Sequence, residues 1–314
     1  MQHIHHIDQL SLESCSLTIG SFDGVHIGHQ ALIKELVAQA RESDEAAVVL
    51  TFFPHPSVVL RGRKPAFYIN TPDEKADLLG KLGVDVVVTQ PFDLDLSRVS
   101  AEDFLSQLCA QSKFHHLWVG LDFALGHHRR GDRFFLEQEG KVRGFEVHVF
   151  EPVLVSGETV SSTRVREALR SGDVARVEQY LGRPFGMPGR VVRGAGRGRG
   201  LGFPTANLEI WEERAFPRTG VYACMAEVDG QDWKAVTNIG IRPTFDLDEV
   251  SPIIEAHLLG YSGDLYGKDI QLTFIARLRD ERRFPNPQAL MERIQIDIQR
   301  AEEILEGRSE GRQA

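Results

Sequence analysis

The feature that most constrains this chain is a change of hydrophobic period near residue 184. Before it, short β-branched runs alternate with helical stripes. Leu17–Gly20 leads into a turn, after which Leu32, Ile33, Leu36 and Val37 recur at helical spacing. Val48–Phe52 reads as a buried strand, ended by Pro54-His55-Pro56, whose prolines cannot continue a central ladder. The pattern then predicts a helix around Lys75–Leu82, a strand at Val84–Thr89, a helix from Ala101 to about Gln111, and strands at Leu117–Gly120 and Phe145–Phe150. Such alternation implies right-handed crossovers and a parallel sheet. After Leu181-Gly182-Arg183-Pro184 the period drops to two, in runs at Val221–Val228, Lys234–Asn238, Ile253–Leu259 and Ile270–Leu278. Asn286-Pro287 then reads as an N-cap and first helical position, opening a helix with Leu290, Ile294, Ile298, Ala301 and Leu305 on one face. The expected fold class is α/β plus β: a Rossmann-like domain over 1–184, and an antiparallel β-barrel with a terminal helix over 185–314.

Composition narrows the function classes. The 314 residues allow two domains of the usual roughly 100–200 residues. With 42% hydrophobic and 26% charged residues, a disordered or fibrous chain is excluded. A net charge of -9 argues against broad binding to nucleic acid or anionic lipid, which needs many phosphate-neutralising cations. Cys15, Cys109 and Cys224 form no CxxC, so neither a disulfide scaffold nor a structural zinc site is indicated, and a reducing cytoplasm fits. No stretch approaches the ~20 apolar residues that span a bilayer, and no secretory leader is readable. His3, His5 and His6 read as solvated terminal residues. The pairs His115-His116 and His127-His128 have no carboxylate or cysteine at ligand spacing and read as surface or loop residues.

Two segments concentrate phosphate chemistry in this acidic chain. The first is Gly20-Ser21-Phe22-Asp23-Gly24-Val25-His26-Ile27-Gly28-His29, between the first predicted strand and helix, where open α/β sheets bind ligands. Gly20, Gly24 and Gly28 let backbone approach a phosphate, and the helix start offers unpaired N–H groups. His26 and His29 can both donate to a triphosphate and stabilise charge developing on it; helix capping is their simpler role. Ser161-Ser162-Thr163-Arg164-Val165-Arg166 opens a later helix, where Ser162 and Thr163 cap and Arg166 lies one turn on from Thr163, a geometry suited to a leaving pyrophosphate.

The second segment runs from Arg190 to Asn207. Arg190, Arg193, Arg197 and Arg199, interleaved with glycines up to Gly202, can close over a polyphosphate; an RGG-like nucleic-acid segment or a plain linker is the alternative. Pro204 fixes the backbone before Thr205 and Asn207, which are two apart, face one way on an extended segment and can hold one Mg²⁺ with its phosphates. Glu255, in Ile254-Glu255-Ala256-His257-Leu258, is an acid within an apolar strand, where burial would tune it toward general-base work; the alternative is an outward-facing strand glutamate.

GSFDGVHIGH with SSTRVR resembles the HxGH nucleotidyltransferases, and in particular the bacterial bifunctional riboflavin kinase/FAD synthetases. Trp118–Gly126 with Gly131-Asp132 is similar to that family's Gly-x-Asp/Asn-Phe-x-Phe-Gly segment, which includes Asp122, and Thr51–Pro56 to its flavin-bordering segment. Phe53 departs from the usual acidic residue and Leu125 from the usual Phe, which bears on flavin packing more than on the reaction. GRGRGLGFPTANL, Gly220–Ala223, Asn238–Phe245, Glu255–Leu259, Gly263–Lys268 and Arg279–Phe284 are similar to the riboflavin kinase domain.

The resemblance implies ATP as co-substrate with Mg²⁺. Riboflavin, FMN and FAD are then substrates and products. It gives Thr205 and Asn207 to Mg²⁺ and nucleotide, and Glu255 to activation of the ribityl hydroxyl. It implies a cytoplasmic enzyme with small-molecule partners, without nucleic acid or membrane, and compatible with a homo-oligomer. Two rivals remain open from the residues: an adenylyltransferase with another acceptor, and a flavin- or RNA-sensing barrel attached to a nucleotidyltransferase.

Overall fold

The computed structural model describes residues 1–62, 67–194, 202–241 and 252–310, with 309 and 310 described by backbone alone. It divides into two compact units, Met1–Lys64 with Tyr68–Ser162, and Pro65–Phe67 with Thr163–Ala314. Residues 163–184, which the sequence pattern joins to the first half, cluster with the second unit. There the Leu169 carbonyl accepts from the Arg218 amide, and Glu178 pairs with Arg308.

The first unit comprises β1 (Gln2–Ile4), β2 (Leu12–Ile19), α1 (Ile27–Glu42), β3 (Ala46–Phe53), α2 (Pro56–Arg61), α3 (Pro72–Lys81), β4 (Val86–Pro91), α4 (Ala101–Gln111), β5 (Ser112–Gly120), α5 (Arg133–Arg143), β6 (Glu146–Phe150), and the hairpin β7 (Leu154–Val155) and β8 (Glu158–Thr159). The sheet is parallel throughout, in the order β1-β4-β3-β2-β5-β6. The order reverses between β2 and β5, and ligands bind outside the carboxyl ends of the strands at such a switch point. Leu17, Leu50, Val88 and Leu117 pack on one face, and Val49 and Val87 with Leu36 and Leu79 on the other. Burial of both faces accounts for the near-continuous apolar runs.

Helix α4 matches its predicted span. Helix α3 begins at Pro72, three residues before the predicted Lys75, because Thr71 and Glu74 form a capping box. Of the N-terminal histidines expected to be solvated, His5 is exposed, whereas His3 is a correction. His3 lies in edge strand β1, its Nε2 2.9 Å from Thr89 Oγ1, and burial lowers its pKa. His6 caps a single 3-10 turn at Ile7–Gln9. A three-residue edge strand is too short to leave a period in the sequence.

In the second unit, α6 (Ser162–Ser171) and α7 (Val174–Leu181) precede β9 (Phe185–Val192), β10 (Ala206–Glu209), β11 (Gly220–Val228), β12 (Gln231–Ile241), β13 (Pro252–Leu258) and β14 (Asp269–Arg279). These six strands close as an antiparallel barrel in the order β10-β13-β12-β11-β14-β9. The predicted terminal helix is α8 (Pro287–Glu310), whose Asn286 side chain accepts from the Ala289 amide at 2.8 Å. Ala301 and Leu305 pack on Val221, Ala223 and Ile275. Buried Asp297 fixes that docking, accepting from Arg279 Nε at 2.7 Å and lying 3.0 Å from Arg293 Nε.

Candidate active sites

The β2–α1 loop, Gly20–His26, opens at the switch point and carries backbone strain. Phe22 and Val25 have φ of 47° and 40°. For a β-branched residue this is costly, and it persists only where the surroundings over-determine the loop; such strain clusters at functional sites. Gly24 has φ 84°, and a Cβ there would lie 2.9 Å from Ile69 Cδ1. Three anchors hold the loop. The Ser21 carbonyl accepts from Thr51 Oγ1 at 3.0 Å. The Asp23 carboxylate accepts from the Ile69 amide at 3.1 Å, and the Asp23 carbonyl from Ser162 Oγ at 2.8 Å.

His26 is the N-cap of α1: its Nδ1 accepts from the His29 amide at 3.2 Å. The two rings stack with centroids 3.5 Å apart and 18° between planes, and the Phe22 ring meets His29 edge-on at 5.1 Å. The helix-capping role weighed for His26 is therefore realised through Nδ1, while its ring stacks on that of His29. His29 Nδ1 is buried without a hydrogen-bond partner. Burial, reinforced by His26 and Lys75, holds its pKa well below the usual imidazole value, so the ring is neutral at pH 7. The first turn of α1 carries no acid. A neutral imidazole N–H and a helix N-terminus are both groups able to donate to a phosphate anion.

Lys75, on α3, is a residue the sequence reading missed as functional. It is 7% exposed, and its Nζ donates to the Ser21 carbonyl at 3.0 Å and to Thr51 Oγ1 at 2.8 Å. Burial pulls its pKa down to about 8, against the opposing charge of Asp23. It thus ties the strained loop to the carboxyl end of β3. A signal existed: Lys75 stands one turn before Leu79, on the core-facing stripe of its helix.

Asp122 is exposed just beyond β5, across the switch point from β2, and its carbonyl accepts from Arg129 at 2.7 Å. In the Thr51–Pro56 segment, the Phe53 ring packs 5.4 Å from that of Tyr68, and the Tyr68 hydroxyl accepts from the His55 amide at 2.9 Å. Among the residues expected from the second element, Ser162 reaches the Gly20–His26 loop, whereas Thr163 and Arg166 belong to the second unit. Thr163 is exposed. Arg166 is buried, with its Nε donating to the Phe67 carbonyl at 2.7 Å and its guanidinium 3.8 Å above the Phe67 ring.

In the barrel, strand register builds the second site. Asn207 of β10 pairs with Glu255 of β13, which also pairs with Asn238 of β12. Directly opposed residues point to one face, so Asn207, Glu255 and Asn238 form a polar row across three strands. Sequence reasoning did not single out Asn238, because only cross-strand register aligns it. The expectation of a buried Glu255 is corrected. Ile254, Ala256 and Leu258 fill the core, and alternation leaves Glu255 half-buried on the opposite face.

Pro204 precedes the row, and its carbonyl lies 2.7 Å from His257 Nδ1. Thr205 is exposed, and Gly202 takes a left-handed φ of 82°. A methyl group at Gly194 would overlap the Asn207 amide, so that glycine leaves the space the amide occupies. The Arg193 guanidinium is 5.8 Å from the Tyr266 ring. Arg197 and Arg199 lie outside the described residues.

Comparison with known proteins agrees with both halves. Residues 8–164 match the FAD synthetase family and residues 181–305 the riboflavin kinase family. The bifunctional riboflavin kinase/FMN adenylyltransferase of Pseudomonas fluorescens is 39% identical over 285 residues, covering 90% of this chain and 91% of the relative. Its counterpart in Escherichia coli K12 is 37% identical over 306 residues, covering 96% of each chain, and that of Bacillus subtilis is 34% identical over 303 residues, covering 95% of each. A solved structure described as a macrolide-efflux protein from Streptococcus pneumoniae superposes with a TM-score of 0.86 at 28% identity, covering 95% of this chain and 97% of that one. Among the described residues no helix is long and apolar enough to cross a membrane. With two family matches in order along the chain and relatives alike over nearly its whole length, the chain belongs to the bifunctional riboflavin kinase/FMN adenylyltransferase family.

Proposed function

We propose that this chain makes FAD from riboflavin in two ATP-dependent steps, with residues 185–314 as the kinase domain and 1–184 as the adenylyltransferase domain. The observation that carries the reading is the coexistence, in one chain, of a strained His26/His29 loop at a sheet switch point and an Asn207–Glu255–Asn238 row on a barrel. A lone adenylyltransferase with another acceptor leaves the row unexplained, and a flavin sensor has no use for Glu255.

In the kinase step, Glu255 takes the proton of the riboflavin 5′-hydroxyl as its oxygen bonds to the γ-phosphorus of ATP, and ADP leaves. Thr205 and Asn207 would hold Mg²⁺: the hydroxyl and amide oxygens are the hard donors it prefers, and Gly194 leaves the Asn207 amide room. When bound, Mg²⁺ neutralises charge on the phosphates. Arg197 and Arg199 would close over the same phosphates.

In the second step, an FMN phosphate oxygen attacks the α-phosphorus of ATP and pyrophosphate leaves. His26, His29, Ser162, Thr163 and Arg166 donate to the charge that develops there, with Gly20, Phe22, Asp23, Gly24, Gly28 and Asp122 shaping the nucleotide site. Lys75 is a positioning residue, acting through Ser21 and Thr51.

A reducing cytoplasm suits the chain. Burial pushes the Cys15 and Cys224 thiols up to about 12, and Cys109 is half-buried. The acid excess keeps nucleic acid and membrane outside the partner set, and a homo-oligomer is compatible with the reading. The test is incubation of the purified chain with riboflavin, ATP and Mg²⁺, separating riboflavin, FMN and FAD over time. Successive FMN and FAD are expected. Untouched riboflavin would sink the kinase assignment, and FMN without FAD the adenylyltransferase assignment.

A further inference from the structure

Strands β5 and β6 bring together three metal-ligating side chains that neither reaction uses. His116 pairs with Glu146, and Trp118 with His148. Alternation places all four on one face of the sheet. His116 Nδ1 lies 3.0 Å from His148 Nε2, and Glu146 Oε2 lies 4.0 Å from each of those nitrogens. The Trp118 ring stacks on His148 at 4.5 Å and 17°, holding the imidazole edge toward His116. The His116 and His148 side chains are 18% and 21% exposed and Glu146 is 70% exposed, so two steadied rings meet a carboxylate reachable from solvent. Among the described residues no other group of three His, Cys, Asp or Glu side chains brings its ligand atoms within 4.8 Å.

We propose that His116, His148 and Glu146 bind a divalent transition-metal ion of the Zn²⁺ type, with water completing the coordination. Two imidazoles and one carboxylate suit zinc rather than magnesium, which prefers oxygen throughout. Ligand atoms on a tetrahedral zinc with bonds of about 2.0–2.1 Å stand roughly 3.3 Å apart. The rings therefore part by about 0.3 Å and the exposed carboxylate closes by about 0.7 Å, small movements for side chains at this surface. Without metal, one ring donates its N–H to the other. On binding, that proton moves to the donor ring's other nitrogen, and both facing lone pairs become ligands.

The sequence reading missed this site because His116 and His148 are 32 residues apart and meet only through the parallel register.

The test uses the full chain, stripped with a chelator and titrated with ZnCl₂ by calorimetry, with Co²⁺ as an optical probe. One equivalent of Zn²⁺ is expected, together with a visible Co²⁺ band of imidazole-containing tetrahedral type. H116Q and H148Q should each weaken binding at least about tenfold, the scale on which lost metal-site contacts act. Zn²⁺ should raise the Tm of the wild type but not of H148Q. His3 and His5, whose rings lie 4.6 Å apart, offer competing imidazoles, so the titration is repeated in an H3A/H5A/H6A background. Binding that vanishes there, binding that survives in both H116Q and H148Q, or a wild type without the Co²⁺ band would each overturn the proposal. The last of these does not depend on how any variant folds.

Discussion

The two candidate sites are built by different means. The Gly20–His26 loop is held by groups from distant elements, namely the side chains of Thr51, Lys75 and Ser162 and the backbone amide of Ile69, because a turn with Phe22 and Val25 at positive φ does not hold itself. The Asn207–Glu255–Asn238 row needs no strained backbone; antiparallel register alone aligns it. The first site should therefore be sensitive to changes in its supports, whereas the second should be sensitive in the row residues and in what keeps the barrel closed.

The largest expected effect falls on the row. Glu255→Gln should cut FMN formation by about 10²–10⁴-fold, the usual scale of a general base, while supplied FMN still becomes FAD. A near-normal rate of riboflavin phosphorylation, measured by chromatography, would remove Glu255 from the reacting centre. Next, His29→Ala should lower FAD formation from FMN by about 10²–10³-fold, comparable to losing one transition-state donor, and stop the overall reaction at FMN. Loss of both activities in a folded His29→Ala protein would contradict the division of labour.

A third change probes the barrel's support. Asp297→Ala leaves Arg279 and Arg293 without their buried carboxylate, and breaking such a group costs about 3–5 kcal/mol. Urea unfolding should show that loss, and an unchanged midpoint would mean that α8 docks through its apolar face alone.

The smallest effect sharpens the contrast with the loop. The folded pKa of Lys75 is depressed to about 8. Above that pH the folded protein holds fewer protons than the unfolded chain, so stability rises with pH until the unfolded lysine, near 10.4, also titrates. Relative to Lys75→Met, the wild type should gain up to about 2 kcal/mol between pH 7 and pH 9.5. A difference that stays flat across that window would show that the ammonium is well solvated. Lys75→Met should also slow FAD formation about tenfold or more through misplacement of Ser21, with riboflavin phosphorylation unchanged.

Much of this was legible in the sequence. Buried parallel strands leave β-branched runs and amphipathic helices, barrel strands leave a period of two, and Asn286-Pro287 marked a helix start that the structure reproduces. HxGH and PTAN are contiguous, so they could be read without a fold. Burial of Glu255 was misjudged because an acid within an apolar strand can face either way, and only the closed barrel decides which face is the core.

By itself, then, the sequence determined the two architectures and the contiguous motifs, since periodicity and spacing are properties of neighbours in the chain. Tertiary structure decided what depends on distant residues meeting: Lys75 beneath the strained loop, Asn238 in the row with Glu255, and His116 against His148. Strand order and register, which no local pattern encodes, set those encounters.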